Sequence, residues 1–312
     1  MTSAPSQLRS PAAPLSAASR MRGLWPASGS GPRNPTVAAI MRTVRNPMGL
    51  LGATMLGLLV LVAVLAPLIS PYDPLLQHPG DELLGPGGRY PLGTDQLGRD
   101  LLSRMIFGAQ NSLFIGVAAV VMGAGAGIVT GTLAGFLGGW VETVIMRVYD
   151  AMLAFPAILL GIAVVTVLGA GRNQVAIALA IAATPTFARL ARSTVLAERE
   201  REYVTAAECI GAASGRIMFR HVLPNAMAPL LVSLGLSMGF SVLAESGLSF
   251  LGLGTQPPNP SWGAMLNDSR SYLNQSLWFG VVPGLALAFL LLSLNYLTDA
   301  LRDALDPQRI NG

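Results

Sequence analysis

The side chains that enzymes use most often for chemistry are scarce in this chain of 312 residues. All 20 basic residues are Arg. The absence of Lys removes both the P-loop lysine that binds nucleotide phosphates and the amine needed for Schiff-base chemistry. One Cys (Cys209) and two His (His78 and His221) are too few for a structural zinc site, and no disulfide can form within the chain. The sequence therefore predicts no bound metal.

Two short patterns approach enzyme motifs without completing them. "GLSFLG" at 247–252 would be a nucleophile elbow only with Gly at 251, where the chain has Leu. "GAGAG" at 123–127 lies inside an apolar run rather than after a soluble strand, which argues against dinucleotide binding. We therefore expect no catalytic residues and no cofactor bound by this chain.

Three charged residues near the ends of apolar runs have structural or functional interpretations. Arg147 and Asp150 are three positions apart, a spacing that predicts an ion pair on one helix. Glu245 lies roughly 28 Å along the fifth apolar run at 1.5 Å per residue, which places it near the outer mouth. There it would contact a substrate amine or an external partner, or else be solvated or hydrogen-bonded internally.

A ladder of glycines follows one face of the second apolar run. Its members are Gly123, Gly127, Gly131 and Gly135. Glycines at a spacing of four allow another helix backbone to approach closely. The pattern predicts either packing within the chain or an interface with a moving partner subunit.

One polar segment interrupts the apolar second half, "EYVTAAECIGAASGRIMFRHVLPNA" at Glu202–Ala226. It follows a mixed-charge stretch at 198–202 and has a break at Gly211–Gly215. The small residues Ala206, Ala207 and Gly211 lead into the break. After the break, exposed apolar side chains are expected at Ile217, Met218 and Phe219. Pro224 should end the second short helix. Two short helices at a bend suggest a docking surface for a soluble protein. An ordinary amphipathic interfacial loop is the alternative.

These residues must be positioned by membrane helices. The chain is 52% hydrophobic and 12% charged, whereas soluble domains carry about 25% charged residues. Runs of about 20 apolar residues predict spanning helices. Six are expected, near Gly49–Ser70, Ser112–Phe136, Val144–Gly171, Gln174–Ala188, Ala226–Phe250 and Leu277–Leu297.

The distribution of Arg predicts the orientation. Six Arg and no acid precede the first span, and six more lie between 189 and 220, whereas the opposite loops hold five. The positive-inside rule therefore places both termini and the polar segment in the cytoplasm. It also explains the net charge of +4 better than nucleic-acid binding does. The first apolar run begins too late and is too long for a secretory signal.

The expected organisation follows from these spans. An Arg-rich, disordered cytoplasmic tail occupies 1–48, the first transmembrane helix 49–70 and an extracytoplasmic loop 71–111. A five-helix transport domain occupies 112–304, with its cytoplasmic loop at 198–224. A short cytoplasmic tail, 305–312, completes the chain.

The polar segment resembles the EAA loop of ABC importer permeases, which reads Glu-Ala-Ala, three residues, Gly, nine residues, Ile-x-Leu-Pro. This chain has Thr205-Ala206-Ala207, three residues, Gly211, nine residues and His221-Val222-Leu223-Pro224. Thr205 replaces the Glu of the motif and His221 replaces the Ile. The ion pair that this Glu would form is therefore not expected here.

Five further blocks look like the C-type permease of dipeptide and oligopeptide importers, and the resemblance extends over most of 46–309. They are "PLGTDQLGRDLLSRMIFGAQNSL" (91–113), "MRVYDAMLAFPAILL" (146–160), "HVLPNAMAPLLV" (221–232), "LSFLGLGTQPPNPSWGAML" (248–266) and "LRDALDPQR" (301–309).

The resemblance implies an all-α polytopic membrane protein with six transmembrane helices and the type I permease fold. It implies di- or oligopeptide uptake across the bacterial cytoplasmic membrane. Its partners would be a B-type permease, two ATPase subunits that bind ATP and Mg, an extracytoplasmic peptide-binding protein and membrane lipid. The coupling residues would be Thr205, Ala206, Ala207, Gly211, Ile217, Phe219, His221, Leu223 and Pro224.

Other functions remain open at this point. Related permeases import nickel chelates or glutathione. A stand-alone secondary transporter or channel commonly has ionisable residues at mid-membrane, whereas the charges here lie at span ends. An intramembrane scaffold is a third possibility.

Overall fold

The computed structural model describes residues 41–305. Residues 306–312 of the predicted tail at 305–312 and most of the tail at 1–48 lie outside these residues. Residues 41–45 are helical, so the predicted disorder does not extend to residue 48. The described residues contain no strand, only one isolated bridge between Thr94 and Asp100.

Eleven α-helices follow the helical residues 41–45 among the described residues. They are α1 (Pro47–Val64), α2 (Ala66–Ile69), α3 (Leu101–Leu137), α4 (Gly139–Leu153), α5 (Ala157–Leu168), α6 (Arg172–Arg199), α7 (Glu202–Cys209), α8 (Ser214–Ile217), α9 (Leu223–Phe250), α10 (Trp262–Ser269) and α11 (Leu277–Leu305). Five helical segments are long and apolar enough to cross a membrane, and α4 with α5 would make a sixth crossing.

The second span extends further than its apolar run indicates. Helix α3 begins at Leu101 rather than at Ser112, because Asp100 caps it by accepting a hydrogen bond from the Ser103 N–H at 2.7 Å. Its 37 residues extend about 55 Å, well beyond a hydrocarbon core of about 30 Å. The predicted loop at 71–111 therefore ends at residue 100.

A buried carboxylate shared by two Arg side chains holds that loop against the first turns of α3. The Asp95 carboxylate lies 2.6 Å from Arg99 Nε and 3.1 Å from Arg104 Nε, and all three side chains are buried. Trp262 of α10 joins the same region, since its indole N–H donates to the Met105 carbonyl at 3.0 Å.

The third span is not the continuous helix that the sequence predicts. Helices α4 and α5 meet at 93° across a short break that ends at Pro156. Proline has no N–H to donate and disfavours a helical conformation in the residue before it, here Phe155. Helix α5 has 12 residues and extends only about 18 Å.

The glycine ladder faces α6 of the same chain. A Cβ on Gly123, Gly127, Gly131 or Gly135 would meet the backbone of Ala180, Thr184, Ala188 or Arg192, respectively. The ladder therefore packs within the chain, as the first interpretation predicts. The second interpretation, in which a partner subunit occupies this face, is wrong. Contacts advance by four residues on both helices, so α3 and α6 are parallel.

This parallel packing determines what α4 and α5 must do together. Residues 138–171 have to return from the end of α3 to the start of α6, across the length of the pair. Helices α4 and α5 therefore form one broken crossing, and the candidate spans number six. The other long helices pack around the pair: α9 contacts α3 where Gly116 meets Val242, and α11 contacts α1 at Gly49 and Gly52.

Candidate functional site

The island segment, residues 198–224, connects α6 to α9 at the end of the molecule where α3 terminates. Helix α7 ends in a glycine cap at Gly211, whose φ is +76°. The Gly211 N–H donates to the Glu208 carbonyl at 2.9 Å and the Ala212 N–H to the Ala207 carbonyl at 3.1 Å. A residue without a Cβ adopts this left-handed conformation most readily. The predicted break therefore lies at this cap.

The inner face of the island segment is a small hydrophobic core. It includes Val204, Ala207, Ile217, Met218 and Val222, packed with Phe136, Val195 and Ala226 from the adjoining spans. The prediction that Ile217 and Met218 are exposed is wrong, because Ile217 is only 2% exposed. Their helix runs directly into α9, and this face is directed at the ends of α3 and α6. Ala207 likewise faces inward, away from Ala206.

The second short helix of the island does not end at Pro224. Residues 214–250 are helical without interruption, because a π-helical turn at Met218–Val222 joins α8 to α9. The Leu223 N–H donates to the carbonyl of Met218, five residues earlier. Pro224 follows this turn directly inside the continuous helix, and its missing N–H leaves one backbone hydrogen bond unmade there. The predicted stop is therefore a continuation into the fifth span.

The outer face presents small residues and two large apolar side chains. Thr205, Ala206, Gly211, Phe219 and Pro224 are exposed, whereas His221 and Leu223 are half-buried. Phe219 is 61% exposed and Ile210 is 84% exposed. Sequence reasoning missed Ile210; the available signal was a large apolar residue immediately before a predicted cap glycine.

Polar contacts fix this surface to the spans. The Arg199 guanidinium donates to the Phe136 carbonyl at 2.9 Å, and the Tyr203 hydroxyl donates to the Glu198 carboxylate at 2.9 Å. Burial raises the pKa of the Tyr203 phenol, and the bond to Glu198 raises it further. The described residues contain no group of three His, Cys, Asp or Glu that would hold a metal. The arrangement is suited to docking another protein.

One of the two interpretations of Glu245 and the predicted partner of Asp150 are wrong. Glu245 is completely buried and accepts hydrogen bonds from Ser249 at 2.7 Å and from Ser112 and Ser246 at 3.3 Å. It does not face an outer mouth; the alternative of an internal hydrogen bond is correct. Asp150 pairs with Arg189 on α6 at 2.6 Å rather than with Arg147, because the two helices cross there.

A groove leads from the island segment along α9. Two cavities of about 800 and 400 Å³ share Ser233 and Leu236 and are lined by α5, α6, α9 and the end of α11. Together they extend from Asn225 to Ala244, about 28 Å along the helix. Sequence reasoning missed the hydroxyls in the groove, although serines recur every four residues at Ser233, Ser237 and Ser241.

Comparisons with known proteins agree with this architecture. Residues 127–311, more than half of the chain, match the family described as the binding-protein-dependent transport system inner membrane component. Residues 34–86 match the N-terminal transmembrane domain of oligopeptide transport permease C.

Curated relatives cover almost the whole chain. The di/tripeptide transport system permease protein DppC of Pseudomonas aeruginosa is 45% identical over 85% of this chain and 90% of that protein. The dipeptide permease DppC of Alkalihalophilus pseudofirmus is 40% identical over 88% and 90%. The glutathione permease GsiD of Escherichia coli is 44% identical over 85% and 88%.

A solved structure supports the fold independently. The inward-facing MetNI methionine ABC transporter has a chain that matches with a TM-score of 0.55 and 16% identity, over 65% of this chain and 96% of that one. At this identity the likeness concerns the fold alone, and it agrees with the helical permease architecture. The chain therefore belongs to the family of binding-protein-dependent transport system inner membrane components, as its sequence motifs predict.

Proposed function

We propose that the chain is a permease subunit of an ATP-binding cassette importer that takes up di- or oligopeptides. The island segment carries this proposal: it is anchored by a buried inner face and presents an exposed surface between two spans. Two relatives named as dipeptide and di/tripeptide permeases support the substrate class.

The groove along α9 provides half of a translocation path. Leu236 and Phe240 at its rim are more than half exposed, so a second subunit is needed to cover it. A B-type permease is the expected subunit. The middle of the groove offers the hydroxyls of Thr186, Ser237 and Ser241 and no charged side chain. Hydroxyls can bond the peptide backbone whichever side chains the peptide carries.

Coupling to ATP follows from the connections of the island segment. Helix α7 follows α6 after two residues, and α8 is continuous with α9. An ATPase subunit seated on Ile210 and Phe219 would therefore move both walls of the groove when it closes. ATP and Mg belong to the ATPases. By linkage, a loaded binding protein on the opposite side biases the same equilibrium.

This mechanism requires the island segment and both termini to face the cytoplasm. Six crossings place the two ends of the chain on one side of the membrane. The asymmetry in Arg assigns that side to the cytoplasm, and the loop at 71–100 then faces the binding protein.

Glutathione is the second candidate substrate, because relatives named as glutathione permeases are as similar to this chain as the peptide permeases are. Glutathione is itself a tripeptide with one unusual linkage, so the same groove chemistry would serve it.

Uptake assays test both candidates. A strain that lacks this chain should lose uptake of labelled dipeptide and oligopeptide and regain it with the wild-type chain. Loss of glutathione uptake alone would favour the second candidate. Uptake that persists when ATP is depleted but the proton gradient is maintained would indicate a secondary transporter and contradict the proposal.

A further inference from the structure

Helix α4 packs differently from the long helices around it. None of its 15 residues is buried. One side carries Trp140, Val144 and Val148, each more than half exposed, with Trp140 at 76%. Because residues four apart are neighbours on a helix, these three form a continuous apolar row that residues 41–305 leave uncovered.

The opposite side of α4 borders a charged cleft. The cleft, about 590 Å³ in volume, lies between α4 and α6 and is lined by Glu142, Thr143, Met146, Arg147, Asp150, Arg189 and Arg192. Two ion pairs cross it, since Arg192 Nε lies 2.6 Å from Glu142 and Arg189 Nη2 lies 2.6 Å from Asp150.

Arg147 is the third guanidinium of this cleft. The structure places no carboxylate within ion-pair distance of it among residues 41–305. The cleft therefore has one positive charge in excess. Arg189 and Arg192 also keep donors, because a guanidinium has five N–H groups and the ion pairs do not use them all.

The position of Arg147 on α4 connects the two sides. It follows Val144 by three residues and Trp140 by seven, so it lies at the border between the apolar row and the cleft. Tryptophan concentrates at membrane–water interfaces, and arginine there directs its head group towards water. A ligand covering both features must have an anionic head and an apolar body.

We propose that α4 and α6 form a binding site for an anionic phospholipid. Its phosphate would bind the Arg147 guanidinium and the spare donors of Arg189 and Arg192, and an acyl chain would cover Trp140, Val144 and Val148. A guanidinium suits phosphate because its planar fork matches two oxygens. A free phosphate ion would leave the apolar row uncovered. The site requires membrane insertion and is independent of the transported substrate.

Native mass spectrometry of the detergent-purified full chain tests the site. Phosphatidylglycerol and zwitterionic phosphatidylcholine would be titrated separately. We expect the wild type to prefer phosphatidylglycerol by about five-fold, the effect of one Arg near an anionic headgroup. Arg147→Gln should abolish this preference.

The matched control is Arg216→Gln on α8, which removes the same charge from an exposed position of the island segment. It should keep the preference. An unchanged preference in Arg147→Gln, an equal loss in both variants, or displacement of the lipid by inorganic phosphate would each overturn the proposal.

A second measurement leaves Arg147 unchanged. The chain would be reconstituted in phosphatidylcholine bilayers that contain brominated phosphatidylglycerol or brominated phosphatidylcholine at equal mole fraction. The fluorescence of Trp140 is the part of the signal that is lost in Trp140→Phe. Brominated phosphatidylglycerol should quench this part more strongly than brominated phosphatidylcholine does. Equal quenching by both lipids would overturn the proposal, while peptide uptake would still test the transport function separately.

Discussion

The Glu245 carboxyl group connects the end of α9 to α3 through three serine hydroxyls. Its hydrogen bond to Ser112 crosses between the helices, whereas those to Ser246 and Ser249 remain within α9. A buried polar group is stabilising only while its partners remain. Glu245 therefore has a structural role at a position where the sequence left ligand contact and internal hydrogen bonding as alternatives.

We expect Glu245→Gln to retain stability and uptake, since an amide still bonds the hydroxyls. Glu245→Leu should lower stability by about 2 kcal/mol, because it leaves buried hydroxyls unpaired. Thermal unfolding of the purified chain in detergent measures the difference. Equal stability of the two variants would show that the hydrogen bonds do not hold the helices together.

Gly211 allows the docking role of the island segment to be tested at one position. Asn tolerates the left-handed conformation, and Asp differs from it in charge at almost the same size. A Cβ at this position meets open space. We therefore expect Gly211→Asn to retain the ATPases, whereas Gly211→Asp leaves a charge unpaired at the interface and weakens retention at least about tenfold.

Pull-down of the ATPase subunits and hydrolysis stimulated by the loaded binding protein would be measured together. Membrane levels and pairing with the second permease should remain normal in both variants. Wild-type values for Gly211→Asp would favour an ordinary interfacial loop.

At the scale of elements, the close packing of α3 against α6 depends on the glycines of α3, which have no side chain. Gly127→Leu should separate the two backbones, because even its Cβ would lie 2.5 Å from the Thr184 carbonyl oxygen. Overpacking of this kind costs about 3 kcal/mol. Gly125→Leu is the matched control on the same helix, where a Cβ meets nothing within 4 Å.

Expression level and thermal stability in detergent would be compared for the two variants. We expect only Gly127→Leu to lose stability and uptake. Similar losses in both variants would mean that the added leucine, rather than the contact with α6, is responsible.

The elements differ in how well the sequence predicts them. Apolar runs place the first, second and fourth to sixth spans, because burial in lipid requires long uninterrupted hydrophobicity. This rule does not predict the polar start of α3. It does not predict the break at Pro156 either, since proline also occurs inside α6, α9 and α11. Tertiary packing decides which prolines end a helix.

The same limit applies to the island segment. Spacing and motif place its break at Gly211 but assign Ile217 and Met218 to the wrong face. Those side chains are buried because they pack with Phe136 of α3 and Val195 of α6, contacts that spacing along the chain does not reveal. Glu245 and the groove serines depend likewise on contacts between helices distant in sequence.

At the scale of the whole molecule, orientation is the property that the Arg distribution predicts. Gln77 and Ser214 are exposed at opposite ends. In a Cys209→Ser background, Gln77→Cys should react with an impermeant maleimide added outside intact cells, and Ser214→Cys should react only after the cells are opened. External labelling of Ser214→Cys would reverse the proposed topology.

The broken third crossing has a consequence for biosynthesis. Helix α5 is too short to bridge the bilayer core, and α4 has no buried face of its own. A nascent chain that has emerged only as far as residue 171 therefore lacks a stable third segment. Emergence of α6, which pairs with α4 through Arg189 and Arg192, supplies the missing support. The translocon must accordingly hold these two short helices until α6 arrives, so that the three leave it as one unit.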